Sequence, residues 1–150
     1  MSIVKVHRYG VRADRVGPQS LTLEAPGKPV LRIATPPGFR GGIRGAWSPE
    51  ELLVGSLAAC LELTVVAIAE YKGMPLHTIR IDATGHVEQK DHRYRFVLIE
   101  LDVELETDAG REREAEKVAE IANERCIVGS ALEVPVHLSV ETRVASLAGV

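Results

Sequence analysis

The stretch that most constrains the fold of this 150-residue chain is residues 48–73, SPEELLVGSLAACLELTVVAIAEYKG. Ser48 suits the N-cap of a helix, Pro49 suits its first position, and Glu51 completes a Ser-x-x-Glu capping box. Gly73 is a typical helix stop. The pattern therefore predicts one helix of about 24 residues and about 36 Å.

The middle of this predicted helix is apolar nearly all round, so we expect protein to cover it on most sides. Charged residues interrupt the apolar run and would each be unfavourable in lipid, which argues against a membrane span. They are Glu50, Glu51, Glu62, Glu70 and Lys72.

Three later segments, 79–87, 99–105 and 134–140, alternate apolar and polar residues. Period-two alternation predicts strands with one buried face, as in antiparallel sheet. A break in phase near residue 98 predicts a bulge. Residues 110–126 have the pattern of a second helix that ends at Cys126. The predicted fold class is α+β, with antiparallel sheet wrapped around a long central helix.

Ahead of the long helix, residues 2–9, 19–25 and 29–34 have the composition of short strands. A Pro/Gly-rich loop, residues 35–47, follows and carries Arg40 and Arg44. Loops of this length inside a compact domain are more often functional than not. The length of the chain predicts a single domain over residues 1–150.

Net charge, the N-terminal segment and the cysteines limit the classes of function that this chain can have. A formal net charge of -3 argues against a nucleic-acid binder. The N-terminal MSIVKVHRYG has no apolar signal segment, which predicts a cytoplasmic location. In that reducing compartment Cys60 and Cys126 are free thiols, metal ligands or a redox pair. The absence of Cys-x-x-Cys and His-x-x-x-His argues against metal, and we expect no bound cofactor.

Cys60 has two interpretations. Buried free cysteines are usually inert and pack like small apolar residues. A nucleophilic cysteine instead needs a lowered pKa, and apolar surroundings raise it. The predicted helix has no Lys or Arg within a turn of Cys60, so the loop arginines Arg40 and Arg44 are the candidate activators.

The run Pro49-Glu50-Glu51-Leu52, followed by Gly55 and Ala58-Ala59-Cys60, resembles the signature of the OsmC/Ohr family. This family comprises osmotically inducible protein C and the organic hydroperoxide resistance proteins. Glu50, Cys60 and Cys126 match its pattern, and Arg40 and Arg44 match loop arginines of the OsmC branch. Two places depart from it: Trp47-Ser48 replaces Thr-Asn, and Ile127-Val128-Gly129 follows a cysteine that Pro often follows in the family.

The resemblance implies an OsmC-like fold and a thiol-dependent peroxidase for organic hydroperoxides. In it, Cys60 is the peroxidatic thiolate and Cys126 the resolving thiol. Arg40 lowers the pKa of Cys60, and Glu50 holds the arginine. Arg44 stays open as an alternative activator. An external dithiol of the dihydrolipoyl type, free or on a lipoyl protein, restores both thiols.

The spacing of two site residues on the predicted helix indicates that a second copy of the chain completes the site. Glu50 and Cys60 are ten residues apart, hence about 15 Å along one helix axis. Two copies packed antiparallel near Gly55 and Ser56 would bring Glu50 of one chain level with Cys60 of the other. We therefore expect an intertwined homodimer with two equivalent active sites at its interface.

Two other functions remain open. The first is an OsmC-like protein that binds a small apolar ligand without turning over peroxide. The second is a thioesterase of the hot-dog fold, which also packs sheet around a long helix but needs no pair of cysteines.

Overall fold

The computed structural model describes residues 4–146. The described chain contains, in order, β1 (Arg12–Gly17), β2 (Ser20–Glu24), β3 (Leu31–Ala34), α1 (Pro49–Lys72), β4 (Thr78–Lys90), β5 (Arg93–Thr107), α2 (Glu112–Arg125), α3 (Ile127–Ser130) and β6 (Val136–Val144). The α+β class is therefore confirmed. The chain divides between Leu52 and Leu53 into two compact units. A single domain over residues 1–150 stays a prediction.

The first unit contains a three-stranded antiparallel sheet in the order β1-β2-β3. The predicted strands at 19–25 and 29–34 are confirmed. The strand predicted over 2–9 is wrong for residues 4–9, which have no regular structure; residues 2 and 3 lie outside the described range. The reason is the turn: Gly17 pairs with Ser20, so a two-residue connection fixes the preceding residues 12–17 as the partner of β2.

Both ends of α1 form as the sequence predicts. Ser48 N donates to Glu51 Oε2 at 2.8 Å, and Glu51 N donates to Ser48 Oγ at 3.1 Å, which is a reciprocal capping box. At the other end Gly73 has φ 62. Its N–H donates to Glu70 O, and the next N–H donates to Ala69 O, the bond pattern of a Schellman motif.

The second unit contains a sheet in the order β4-β5-β6. Strands β4 and β5 are antiparallel, and Val97 is the extra residue of a bulge, because His86 pairs with Leu98 and Val87 with Phe96. The predicted phase break is thus confirmed. Strand β6, however, pairs with β5 in parallel, so the expectation of a wholly antiparallel sheet is wrong. The reason is that α2 is a crossover connection, which returns the chain to the sheet in its original direction.

The core of the second unit lies between one stripe of α1, strand β5 and α2. The buried α1 side chains recur every fourth residue: Leu57, Leu61, Val65 and Ala69. They pack with Ile99, Leu101, Val103 and Leu105 of β5 and with the apolar face of α2. The opposite side of α1 is open, and Leu63 is 70% exposed. The single chain therefore does not cover α1 on most sides, because one narrow sheet and one short helix cannot surround it.

Helix α1 is long and apolar enough, by length and composition alone, to cross a membrane. Core helices of soluble proteins meet the same criterion. The four-residue stripe that α1 buries in the protein core is typical of such a core helix.

Candidate functional site

The two cysteines meet in the second unit. Cys60 lies in the middle of α1, and Cys126 is the C-cap of α2; the two residues come within 3.2 Å of each other. Both thiols are free, because a disulfide would hold the sulfur atoms about 2.05 Å apart. Cys126 is 1% exposed and Cys60 is half-buried. A reactant can therefore reach Cys60 more easily than Cys126.

Helix α2 and its C-terminal turn place Cys126. The apolar stripe of α2 runs through Val118 and Ala122, and Cys126 continues it at the same spacing. The chain leaves the helix there, because Cys126 has φ -63 and ψ 119. Its Sγ then accepts the N–H of Gly129 at 3.4 Å and so acts as the N-cap of α3. This hydrogen bond fixes the side chain toward α1.

The pKa of Cys60 lies below its ordinary value. Burial raises this pKa, but hydrogen bonds from the backbone N–H of Val128, the Cys126 thiol, the backbone N–H of Ile127 and the Thr64 hydroxyl outweigh it. Donors that face a sulfur atom favour its thiolate form. Cys60 is therefore the more acidic thiol of the pair.

The pKa of Cys126 moves in the opposite direction. Burial raises it most, and the hydrogen bond with Cys60 and the charge of the Cys60 thiolate raise it further. The N–H of Gly129 acts the other way but does not compensate. Cys60 is therefore the first of the two thiols to ionise as pH rises, which suits it better than Cys126 to the role of nucleophile.

The donors to Cys60 in the second unit are uncharged, whereas sequence reasoning sought a cation. Thr64 could have been found, because it lies four residues after Cys60 and therefore on the same face of α1. Its hydroxyl donates to the Cys60 carbonyl oxygen at 2.6 Å, and rotation also lets it face the sulfur. No pattern in the sequence marks the N–H groups of Ile127 and Val128, since they depend on the turn after Cys126.

A second feature lies in the first unit, where a cavity of about 490 Å³ contains Glu50. Its lining is largely apolar and includes Leu21, Ile33, Pro36 and Phe39. Within residues 4–146, Glu50 Oε2 is the one buried side-chain nitrogen or oxygen without a hydrogen-bond partner. The neighbouring Glu51, by contrast, is occupied in the capping box. A buried carboxylate oxygen without a partner is unfavourable, so it indicates a missing partner group.

Sequence reasoning overlooked one arginine of this cavity. Arg15 of β1 lines the same cavity as Glu50, and its Nε donates to Gly17 O at 3.0 Å. The predicted arginines, Arg40 and Arg44, are both exposed on the loop between β3 and α1. The signal for Arg15 was weak, because a basic residue on a short strand next to a turn is common on protein surfaces.

The described residues contain no group of three or more His, Cys, Asp or Glu side chains arranged to hold a metal ion.

Comparison with known proteins points to one family and one fold. A sequence profile of OsmC-like protein matches residues 41–141. The uncharacterized protein YmaD of Bacillus subtilis is 26% identical over 144 residues, which cover 92% of this chain and 95% of YmaD. An organic hydroperoxide resistance protein OsmC from Legionella pneumophila is 25% identical, with a TM-score of 0.73 over 91% of this chain and 99% of that one. An OsmC-like protein from Mycoplasma pneumoniae has a TM-score of 0.78 at 18% identity, over 91% and 97% of the two chains.

Proposed function

This chain belongs to the OsmC-like protein family, and on that premise we propose that it reduces organic hydroperoxides to alcohols with a pair of cysteine thiols. Cys60 is the peroxidatic residue in this proposal, and Cys126 is the resolving residue. The family match favours this function over a hot-dog thioesterase, which needs no such pair. The Legionella protein that resembles the chain is named for organic hydroperoxide resistance.

The proposed reaction has three steps. The Cys60 thiolate attacks the terminal oxygen of the hydroperoxide, the O–O bond breaks, and the alkoxide leaves and takes a proton to become the alcohol. Cys60 is then a sulfenic acid, and the Cys126 sulfur displaces its hydroxyl group as water to form a disulfide. An external dithiol reduces this disulfide by two successive exchanges and is itself oxidised.

The observation that carries the proposal is the contact between two thiols whose pKa values are shifted in opposite directions. Cys60 and Cys126 lie 3.2 Å apart, the pKa of Cys60 is lowered, and the pKa of Cys126 is raised. An inert pair of core cysteines would both be raised by burial. The contact also means that condensation to a disulfide needs a movement of only about 1 Å.

The reductant and the location are part of the proposal. The disulfide would be buried at the Cys126 side, so a slim dithiol such as a dihydrolipoyl group, free or carried on a lipoyl protein, fits it better than a bulky protein thiol. A reducing cytoplasm would supply such a group and keep both cysteines free between turnovers.

The arginine and the carboxylate have supporting roles in this proposal. The unpaired Glu50 Oε2 is a ready acceptor for a guanidinium. In the proposed homodimer, such a pair on one chain would bring a positive charge to Cys60 of the other, where the alkoxide forms. Arg40 remains the predicted arginine and Arg44 its alternative. Arg15 joins them as a candidate, because it lines the same cavity as Glu50.

We also propose that the working form is a homodimer, and Gly55 supports this. Glycine inside a helix is less stable than alanine by about 1 kcal/mol. Within the single chain nothing lies within 4 Å of the position where a Cβ on Gly55 would be, so the chain's own packing does not require glycine. Close approach of a second helix at this position would require glycine. The exposed stripe Gly55, Ala59, Leu63, Ala67 and Tyr71 of α1 offers a face for it.

A second function has an observation of its own. The cavity around Glu50 is mostly apolar and large enough for a small organic molecule, which favours an OsmC-like binding protein without peroxide turnover. The two functions make opposite predictions for the thiols.

The test is a thiol titration before and after one equivalent of cumene hydroperoxide. The peroxidase loses both thiols, forms one mole of disulfide per chain and releases one mole of cumyl alcohol. A binding protein keeps both thiols under the same conditions. The Cys60→Ser variant should lose the reaction, and full alcohol release by that variant would exclude the proposed mechanism.

A further inference from the structure

The thiol pair of the second unit has the geometry of a chelating dithiol. Cys60 and Cys126 are both free and lie 3.2 Å apart. They belong to different elements, the middle of α1 and the end of α2, so the fold and not a local turn holds them together. Thiolates are soft ligands, and two of them at a fixed distance can share one soft atom. Their separation and their number decide which atom fits.

The separation favours an atom with narrow bond angles. Bonds from sulfur to zinc are about 2.3 Å long, and bonds from sulfur to arsenic have about the same length. At that length a linear ion holds two sulfurs about 4.6 Å apart, and a tetrahedral ion holds them about 3.8 Å apart. Trivalent arsenic is pyramidal with bond angles close to a right angle, so from the same bond length it holds them about 3.3 Å apart. The last value is the closest to the 3.2 Å between Cys60 and Cys126.

The number of ligands narrows the choice further. The chain has no third cysteine. Within residues 4–146, no group of three or more His, Cys, Asp or Glu side chains could hold a metal ion. Structural zinc needs four such ligands, and inorganic arsenite has three hydroxyl groups to exchange. A monosubstituted trivalent arsenical, R–As(OH)2, has two, one for each thiol.

We propose that Cys60 and Cys126 together bind one monosubstituted trivalent arsenical, with arsenic as the bridge between the two sulfurs. Each thiol displaces one hydroxyl group of R–As(OH)2: an S–As bond forms, an As–O bond breaks, and the thiol proton leaves with the hydroxyl group as water. Two waters are released and arsenic stays trivalent, so the reaction needs no oxidant or reductant. The proposal does not depend on peroxide reduction.

The two thiols have different parts in this binding. Cys60 is half-buried, whereas Cys126 is 1% exposed. We therefore expect the arsenical to bond first to Cys60, and Cys126 to close the bridge from inside the protein. The second bond forms within one molecule, and such coupling exceeds the affinity of a single contact by about a hundredfold or more. A single accessible cysteine would not give this gain.

The probe is phenylarsine oxide, which is phenylarsonous acid in water, and the protein is the reduced full chain. One equivalent per chain should remove both thiols from reaction with a chromogenic disulfide reagent. Intact-mass spectrometry should show one phenylarsenic group per chain with the loss of two hydrogens. The dithiol dimercaptopropanol should restore both thiols. One reactive thiol left after one equivalent, or two phenylarsenic groups per chain at saturation, overturns the proposal.

Cys60→Ser and Cys126→Ser are the matched variants. Each keeps one thiol, so each should bind phenylarsine oxide about a hundredfold more weakly than the wild type does. An affinity in either variant equal to that of the wild type would show that one thiol is sufficient, and would overturn the proposal. The stoichiometry in the wild type tests the same point without a variant.

A comparison of ligands tests the geometric argument. Phenylarsine oxide should protect the two thiols at lower concentration than inorganic arsenite does, and Zn(II) should protect them least. Zn(II) that protects both thiols as well as phenylarsine oxide does would overturn the argument from bond angles.

Peroxide turnover separates this inference from the proposed function. If the wild type releases no cumyl alcohol but one arsenical still removes both thiols, the chelating site stands and the peroxidase proposal fails. If alcohol release is normal but one arsenical removes a single thiol, the peroxidase stands and the chelating site fails.

Discussion

The thiol centre and the carboxylate cavity differ in how completely the chain satisfies them. Around Cys60, hydrogen bonds from α1, α3 and Cys126 outweigh the effect of burial. Around Glu50, a buried carboxylate oxygen has no partner. One region can hold its reactive charge with the groups of the single chain, whereas the other is left with an unsatisfied acceptor. This contrast is the basis of our proposal that Glu50 pairs with an arginine, either its own or that of a second copy of the chain.

The largest expected effect is at Cys60 itself. Cys60→Ser should lower the rate of hydroperoxide reduction by at least about a thousandfold, because a serine hydroxyl is not ionised at neutral pH. The measurement is alcohol release under excess dithiol. The matched variant Cys126→Ser should keep the first step and accumulate a sulfenic acid at Cys60 that dimedone can trap. Dimedone labelling at position 126 of the Cys60→Ser variant would reverse the two assigned roles.

The next effect tests the other side of the contrast. Glu50→Gln should lower turnover by about ten- to a hundredfold, because an amide cannot hold a guanidinium as a carboxylate does. The capping box of α1 should be unaffected, because Glu51 and not Glu50 closes it. Steady-state kinetics measure the turnover, and thermal unfolding gives the stability for comparison with the control.

Glu51→Gln is the control for Glu50→Gln. The side chain of Glu51 closes the capping box, so its loss should lower stability by up to about 1 kcal/mol and leave turnover unchanged. A Glu51 variant that loses activity, or a Glu50 variant that loses only stability, would contradict the assignment of these neighbours.

Association in solution should respond to Gly55. Gly55→Leu adds a side chain where the single chain has open space, so the fold should remain. It should push apart two helices that cross there, and the dimer should dissociate at micromolar concentrations. Light scattering after gel filtration measures this. Gly55→Ala should stabilise the fold of the single chain by up to about 1 kcal/mol and should weaken the dimer less than Gly55→Leu does. An undisturbed dimer in Gly55→Leu would place the interface elsewhere.

Acidity should distinguish the two thiols in the resting protein. The pKa of Cys60 is lowered and that of Cys126 raised, so iodoacetamide should modify Cys60 at a lower pH than Cys126. The pH dependence of the stability against unfolding follows from the directions of the same two pKa shifts. The contribution of the Cys60 thiolate is complete above the unfolded pKa and is lost as pH falls through the lower folded value. The contribution of neutral Cys126 is lost instead as pH rises through its folded value. Alkylation in the reverse order would contradict both directions.

The smallest effect is expected at Thr64. Thr64→Val keeps the branched shape and removes one hydroxyl donor near Cys60. We expect the Cys60 pKa to rise only slightly, because Thr64 is the weakest of its donors and the others remain. Thr64→Ser keeps the hydroxyl and should follow the wild-type profile of alkylation against pH. The same profile for Thr64→Val and wild type would show that the hydroxyl does not act on Cys60.

Local signals in the sequence predicted the long helix well. The helix ends depend on the local preferences of single residues. Ser48 and Glu51 form the predicted capping box, and Gly73 ends the helix with a positive φ, as predicted. The first strand was misplaced because the 17–20 turn, and not the apolar residues before it, determines the register. The parallel pairing of β6 was missed because alternation indicates a buried face but not a strand direction.

The candidate site, like the fold, could be predicted from the sequence only in part. The resemblance pointed to Cys60 and Cys126, and the structure brings them into contact. Arg40 and Arg44 stay predictions, and Arg15 was overlooked. The donors around Cys60 could not be predicted because two of them are main-chain groups, Ile127 N–H and Val128 N–H, which exist at every residue and matter only where the chain turns.

Residues 60 and 126 are far apart in the sequence but in contact in the structure. Oxidation of this pair to a disulfide would therefore also affect the stability of the protein against unfolding. A disulfide there would enclose β4, β5 and α2, a loop of roughly 65 residues, and would restrict the unfolded ensemble by about 4 kcal/mol in the chain-entropy account. The oxidised protein would then be the harder one to unfold or digest. In the proposed cycle, oxidation by a hydroperoxide would therefore produce the form that resists proteases best, and reduction by the proposed dithiol would make the protein susceptible to proteases again.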